Sequence, residues 1–230
     1  QNRLFLILSG IFIASLVSSN LIFQKFFFWT PFEFLSQKDG SSWLFWLSTY
    51  TFELSVGILP YPITFLVTDI ISEIYGRKKA DQIVMSGFIA SIFIMVVVLL
   101  GDKASATDWS PVNDDTFHDV FGLFGPAVFA SMTAYLIAQF IDIRMFHYWK
   151  TLTKGKHLWL RNNGSTIFSQ LVDTSSVLLL LCYFGVLEWG KFGILFMNGF
   201  LFKVFIAAID TPFFYIFSII AIFSAIMVTV

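Results

Sequence analysis

Six long apolar stretches, separated by polar connectors, set the pattern of this chain. Each is close to the ~20 residues that a helix needs to cross a bilayer. The pattern therefore predicts a single transmembrane domain over 1–230, with spans at about 4–23, 51–75, 83–100, 126–145, 164–187 and 192–220 or beyond. No small-residue cleavage motif follows the first stretch, which reads as a retained helix with Ser18, Ser19 and Asn20 near its far end. The second stretch is interrupted by Pro60 and Pro62. Proline removes a backbone donor and disfavours helix at the residue before it, so this span should break there. Broken helices are tolerated in a membrane where the freed backbone lines a cavity, and the break thus points to a site. The third stretch is nearly free of polar groups and reads as scaffold. The sixth stays apolar to Val230, longer than one crossing, so it must tilt, bend near Pro212 or project beyond the bilayer.

The connectors differ in character. Residues 25–48 are rich in Phe and Trp with interspersed polar groups, which suits the headgroup interface. Residues 101–125 hold Asp102, Asp108, Asp114, Asp115 and Asp119 against Lys103 alone. That segment lacks the spacing and glycine of an EF-hand and reads as a solvated loop. An amino terminus in the cytoplasm places nine basic loop residues inside, Arg3, Arg77, Lys78, Lys79, Arg144, Lys150, Lys154, Lys156 and Arg161. Four lie outside, Lys25, Lys38, Lys103 and Lys191. Basic residues favour the cytoplasmic side, so both termini are expected there.

Polar groups inside the apolar stretches are the informative positions. Asp69 and Glu73 are four apart in the second span and share a helical face. Glu73 stands one turn from Arg77, which suggests an interfacial ion pair, whereas Asp69 is deeper. Gln139 and Asp142 in the fourth span repeat the three-residue offset of Gln170 and Asp173 in the fifth. Asp142 is close to Arg144, which suggests the membrane boundary. Asn162 and Asn163 precede Gly164 and a run of hydroxyls. Lys203 and Asp210 fall within the sixth span, and a lysine at that depth needs a carboxylate or carbonyl partner; Asp210, Asp173 and Asp69 are the candidates. Ionisable groups in hydrocarbon cost at least ~2.5 kcal/mol unless they face a partner or a wet cavity, so this set marks a functional site. Hydrogen bonding between helices would account for the same residues without a ligand.

Composition agrees with the membrane reading and narrows the chemistry. The chain is 57% hydrophobic and 13% charged, against about 25% charged in soluble domains. A net charge of −1 leaves no basic excess to displace counterions from a nucleic acid, which excludes that class of partner. The single cysteine, Cys182, can form no internal disulfide and reads as a small buried hydrophobe. No GxxxxGK[ST], HExxH, CxxC or GxSxG motif occurs, and His118, His147 and His157 fall in connectors or at span ends. No metal site, cofactor or catalytic residue is therefore assigned, and an intramembrane hydrolase lacks a base at depth. What remains is Asn20, Asp69, Asn163, Gln170 and Asp173, with Lys203, in a Phe- and Trp-rich surround. Aromatic faces that stack and amides and carboxylates that satisfy edges suit a flat, polar-edged heterocycle.

Four segments carry a resemblance: SSNLI at 18–22, PYPITFLVTDIISEIYGRKKA at 60–80, AQFIDIRMFHYWKTLTKGKHLWLRNNGSTIFSQLVDTSSVL at 138–178, and NGFLFKVFIAAIDTPFFY at 198–215. Their TDxxxExYG and RNNxSTxxSQxxD patterns resemble the queuosine precursor transporter family, within the vitamin uptake transporters. That resemblance implies an all-α integral membrane protein with a six-helix bundle similar to the substrate-binding subunits of energy-coupling-factor transporters. It implies residence in a bacterial inner membrane and import of 7-deazapurines, 7-cyano- or 7-aminomethyl-7-deazaguanine or queuine, for tRNA modification. A deazaguanine edge presents a ring N–H beside an exocyclic amine, which a carboxylate accepts as a pair. On this basis Asp173 or Asp69 takes the edge, Asn163 and Gln170 bind the remaining polar atoms, an aromatic ring stacks, and Glu73 and Lys203 tune the charge; Asn20 completes the set. Two modes of action stay open: a stand-alone secondary transporter, or a binding subunit that needs a separate ATPase module docked along Gly10, Ala14 and Ser18. A homodimer is a further open partner.

Overall fold

The computed structural model describes residues 2–33, 48–122, 126–185 and 187–228. Its helices are α1 (Asn2–Ile22), α2 (Tyr61–Ile74), α3 (Arg77–Asp102), α4 (Asp114–Phe121), α5 (Pro126–Leu152), α6 (Leu158–Tyr183) and α7 (Phe192–Val228). Strands β1 (Phe26–Trp29) and β2 (Phe52–Ser55) pair antiparallel, with Phe26 opposite Ser55 and Trp29 opposite Phe52. Among the described residues, five stretches are helical, long and apolar enough to cross a membrane: Arg3–Ile22, Val56–Ile74, Arg77–Asp102, Leu158–Tyr183 and Trp189–Ile219. The protein is thus a mostly helical, multi-pass membrane protein.

The short helix α2 is the centre of the bundle. It packs against α1, α3, α5 and α7, and α6 in turn packs on α5 and α7. Thr64, Phe65 and every residue from Val67 to Ser72 are buried, so α2 has no broad lipid-facing stripe. A helix buried on most of its circumference must satisfy its polar side chains internally, and that condition brings Thr64, Thr68 and Asp69 into contact with neighbouring helices. The apolar core around it takes Leu8, Phe12 and Leu16 from α1, Ala80, Ile83 and Val84 from α3, Ile143 and Phe146 from α5, and Phe214 from α7. Gly76, at φ +80, turns the chain from α2 into α3, a conformation that non-glycine residues rarely adopt.

The proline break is larger than expected from the sequence. Only the second half of the 51–75 stretch is α-helix; its first half is β2 followed by a 3₁₀ turn at Val56–Ile58. Residues 26–29 of the connector after α1 form the partner strand. Residues 34–47 of that connector lie outside the described residues. The hairpin is fastened to the end of α1: Val56 N–H donates to the Lys25 carbonyl at 2.7 Å, Ser55 Oγ donates to the Phe23 carbonyl, and Ser19 Oγ donates to the Gly57 carbonyl at 2.5 Å. Gly57 is required for this approach. A Cβ there would stand 2.7 Å from the Ser19 carbonyl oxygen and 2.9 Å from the Phe23 Cα, both backbone atoms. Overpacking of that kind costs about 1–3 kcal/mol, so Gly57→Ala is expected to lower the melting temperature of the detergent-solubilised protein, whereas Gly10→Ala, with open space around the new methyl, is not.

Other boundaries also move. The fourth apolar stretch continues as α5 to Leu152, and α6 starts at Leu158, so Asn162 and Asn163 are helical. The acidic connector is not wholly loop: Asn113 caps the 8-residue helix α4 by accepting the Thr116 N–H at 2.8 Å. Among the described residues no group of His, Cys, Asp and Glu could hold a metal ion. The last helix runs unbroken through Pro212, and Cys182 is buried and free.

Candidate functional site

A cavity of about 270 Å³ lies at the end of the bundle where α1 and α6 finish and α7 begins. Its walls come from α1 (Ser19 and Asn20), the hairpin (Phe26 and Glu53), the 3₁₀ turn (Gly57 and Ile58), Tyr61 at the start of α2, and Ser131 and Tyr135 on α5. The remaining wall comes from α6 and α7, with Asp173, Thr174 and Lys203 among leucine and valine side chains. Pockets for small molecules commonly run from about 300 Å³ upward, are mostly apolar and carry a few convergent polar groups. This one fits that description at its small end.

Its charged centre is Asp173, whose side chain is 3% exposed. Oδ2 accepts from Lys203 Nζ at 2.6 Å and from the Tyr61 hydroxyl at 2.5 Å. Lys203 also donates to Thr174 Oγ1 at 3.2 Å, and its ammonium stands 4.4 Å from the centre of the Tyr61 ring. The pair neutralises two charges that neither could carry alone at this depth. Asp173 Oδ1, by contrast, is buried with no donor among the described residues. Tyr61 and Tyr135 lie edge to face with ring centres 5.3 Å apart, which gives the cavity an aromatic floor.

Below that floor a second polar layer joins α2, α5 and α6. Gln139 donates to the Tyr135 hydroxyl at 2.7 Å and to Thr64 at 3.3 Å, and accepts from Thr68 at 3.3 Å. One turn further, the carboxyl groups of Asp69 and Asp142 are within hydrogen-bonding reach of each other. Ser169 donates to Asp142 at 2.9 Å, and Thr166 reaches Asp69. At the far end, Glu73 accepts from Arg161 at 2.8 Å and from Lys150 at 2.9 Å.

The seven residues singled out in the sequence therefore divide. Asn20, Asp173 and Lys203 line the cavity, and Asp173 is the partner of Lys203 among the three candidates. Gln170 does not; it borders a much smaller hollow of about 10 Å³ with Tyr61, Thr166, Lys203 and Asp210. Asp69 faces Asp142 instead of the cavity, and Asp142 is fully buried in the bundle although Arg144, two positions on, is exposed. Glu73 pairs with Lys150 and Arg161, whereas Arg77 pairs with Asp81. Asn163 donates to Thr211 at 2.7 Å and so ties α6 to α7. It precedes Asp173 by ten residues, which at 1.5 Å of rise each is about 15 Å along the helix, too far to reach the same cavity. Tyr61, Tyr135, Ser131, Thr174 and Glu53 were not anticipated. Tyr61 sits inside the proline break, which was itself the signal for a site.

The profile of the family described as "Putative vitamin uptake transporter" matches residues 55–217, from the end of β2 to α7. The chain belongs to that family. A relative from Bacillus subtilis, named "Probable queuosine precursor transporter", is 28% identical over 165 residues, 70% of each chain. A second, from Haemophilus influenzae with the same name, is 26% identical over 165 residues, 70% of this chain and 66% of the relative. No solved structure matches the chain. Membership in the vitamin uptake transporter family makes this protein a transporter and not an enzyme. The matched region contains Tyr61, Tyr135, Asp173 and Lys203, while α1 and β1, which supply one wall of the cavity, precede it.

Proposed function

We propose that this vitamin uptake transporter imports queuosine precursors, 7-deazaguanines in particular, through six crossings, α5 being the sixth. Both termini are cytoplasmic in a bacterial inner membrane, so the cavity opens on the outer side. The single observation that carries the reading is the arrangement at Asp173. Asp173 lines the cavity; one of its carboxylate oxygens is held by Lys203 and Tyr61, while the other is buried without a donor among the described residues. A 7-deazaguanine presents adjacent N–H donors beside a carbonyl acceptor. Asp173 Oδ1 accepts from that donor edge, Lys203 faces the carbonyl, and Tyr61 and Tyr135 offer ring faces to the heterocycle. The names of the relatives point to the same substrates.

The test is a melting series on purified protein with 7-cyano-7-deazaguanine, 7-aminomethyl-7-deazaguanine, queuine and guanine, because a ligand that binds only the folded state raises the midpoint. The deazaguanines are expected to raise it and a pyrimidine base is not. Gly199→Leu supplies the control for location. A Cβ at Gly199 would meet only Thr174 Cγ2, at an ordinary 3.6 Å, so the backbone accepts it while the longer side chain fills the cavity. The ligand-free midpoint should stay near that of the parent and the ligand-induced rise should vanish. A rise that survives Gly199→Leu would place the ligand elsewhere.

A binding subunit docked on a separate ATPase module is the alternative. Gly10, Ala14 and Ser18 are all exposed on α1, which leaves a stripe of small residues free for a partner helix. Liposomes holding this chain alone decide between the two: accumulation without added subunits supports the stand-alone transporter, and uptake that appears only with an ATPase partner supports the alternative.

A further inference from the structure

The buried carboxyls beneath the cavity do not line it, yet they are among the most enclosed polar groups of the described residues. Asp69 is 1% and Asp142 0% exposed. Their side chains are within hydrogen-bonding reach of each other, and each keeps one buried oxygen without a donor among the described residues, Oδ1 of Asp69 and Oδ2 of Asp142. Ionised carboxylates are acceptors only. Two ionised carboxylates brought together out of water repel, and a proton shared between them relieves that repulsion, as in other closely spaced carboxyl pairs.

The surroundings supply no cation, among the described residues, to replace that proton. α6 presents hydroxyls, Ser165, Thr166 and Ser169. α1 and α3 pack on α2 with apolar side chains such as Phe12 and Val84. The cations nearest in the fold are already engaged, Arg161 and Lys150 by Glu73 and Lys203 of α7 by Asp173. The remaining titratable neighbours are Glu73 on α2, one turn below Asp69, and Tyr135 and Tyr61 above the pair.

The pair also has a polar route on each side. Upward, Thr68, next to Asp69 in the chain, donates to Gln139, and Gln139 donates to the Tyr135 hydroxyl at the cavity wall, where Tyr61 donates to Asp173. Downward, Glu73 lies between Asp69 and the cations at the opposite end of the bundle. A column of hydroxyl, amide and carboxyl groups thus spans the interior from the cavity to the other face, on the helices that also form the site.

We propose that Asp69 and Asp142 are the proton-binding site of the transporter, exchanging one proton per cycle along this column so that substrate import draws on the proton gradient. The pair alternates between one shared proton, with net charge −1, and two protons, with no charge. The proton enters from the cavity side and leaves past Glu73, and no covalent bond is made or broken between heavy atoms. This inference rests on the stand-alone reading of the previous subsection.

The experiment uses the full chain in liposomes with labelled 7-aminomethyl-7-deazaguanine. An inward proton gradient should drive accumulation, and a protonophore should abolish it. Asp142→Asn supplies a permanent donor to Asp69 in place of the shared proton, so it should fold; it is expected to lose gradient-driven accumulation while keeping exchange of substrate at equal pH. Asp69→Asn should behave alike. Full gradient-driven accumulation by Asp142→Asn, or parental accumulation indifferent to the protonophore, would overturn the proposal. Infrared spectroscopy of the ligand-free protein gives a readout independent of transport: a protonated-carboxyl band present in the parent and lost in both variants is expected, and its absence from the parent would overturn the proposal even if neither variant folds. Failure of any deazaguanine to bind or exchange in the parent would instead sink the substrate reading and leave the infrared result to decide the proton site.

Discussion

Asp173→Asn is expected to abolish uptake of deazaguanines. The variant keeps the shape of the side chain but removes the charge proposed to accept the donor edge of the ring. A hydrogen bond to a charged group contributes about 1.5–3 kcal/mol, which corresponds to roughly a 10- to 150-fold weaker Kd. The same change leaves the Lys203 ammonium, whose side chain is 11% exposed, without its counter-charge. Breaking one partner from a buried pair costs about 3–5 kcal/mol of stability. Loss of uptake alone would therefore confound binding with folding. The double variant Asp173→Asn with Lys203→Met separates them, since it removes the stranded charge. It is expected to recover most of the melting temperature but none of the binding. Recovery of binding along with stability would show that neither Asp173 nor Lys203 contacts the ligand.

A loss of stability as large is expected at the opposite end of the bundle, from Glu73→Gln. The Arg161 side chain is 5% exposed and is held by Glu73 and by the Gly155 carbonyl at 2.9 Å, with its Nε lacking any other partner among the described residues. Removing the carboxylate charge leaves Arg161 buried beside Lys150 with nothing to offset either cation, again about 3–5 kcal/mol by the behaviour of broken buried pairs. Lys150→Met is the comparison. The Lys150 side chain is 35% exposed, so its share of the cluster is screened by solvent and amounts to about 0–1 kcal/mol. Melting temperatures in one detergent should thus fall steeply for Glu73→Gln and little for Lys150→Met. Equal falls would mean that Arg161 is not the residue that Glu73 stabilises. Glu73 is in this respect a residue that holds the fold at the base of the polar column.

The membrane character and most of the helix positions were legible because apolar runs of bilayer length find a stable setting almost nowhere but in lipid. Charged residues within those runs were legible as a site on the same physical ground: Lys203 and Asp173 each demanded a partner at depth, and each supplies the other's. Where the residues lie relative to the cavity was harder to read, for geometric reasons. Proximity of Asp142 to Arg144 in sequence did not reveal its burial in the bundle, because residues two apart on a helix point in different directions, and here one is buried and the other exposed. Asp69, Glu73 and Asn163 shared segments with cavity residues but not their height along the helix axis. Asp69 follows Tyr61 by eight residues, about 12 Å of helical rise. The hairpin was hidden by a different ambiguity. A short apolar run such as Phe26–Trp29 fits strand or helix equally well by periodicity, and its pairing with Phe52–Ser55 depends on a partner more than twenty residues away. Glu53 reached the cavity wall only through that pairing.

A structure of the protein with 7-cyano-7-deazaguanine bound tests the substrate assignment most directly. The heterocycle should occupy the cavity beside Tyr61 and Tyr135, with its N–H edge on Asp173 Oδ1 and its carbonyl toward Lys203. A ring seated outside this cavity, or inside it with the donor edge turned away from Asp173, would contradict the assignment.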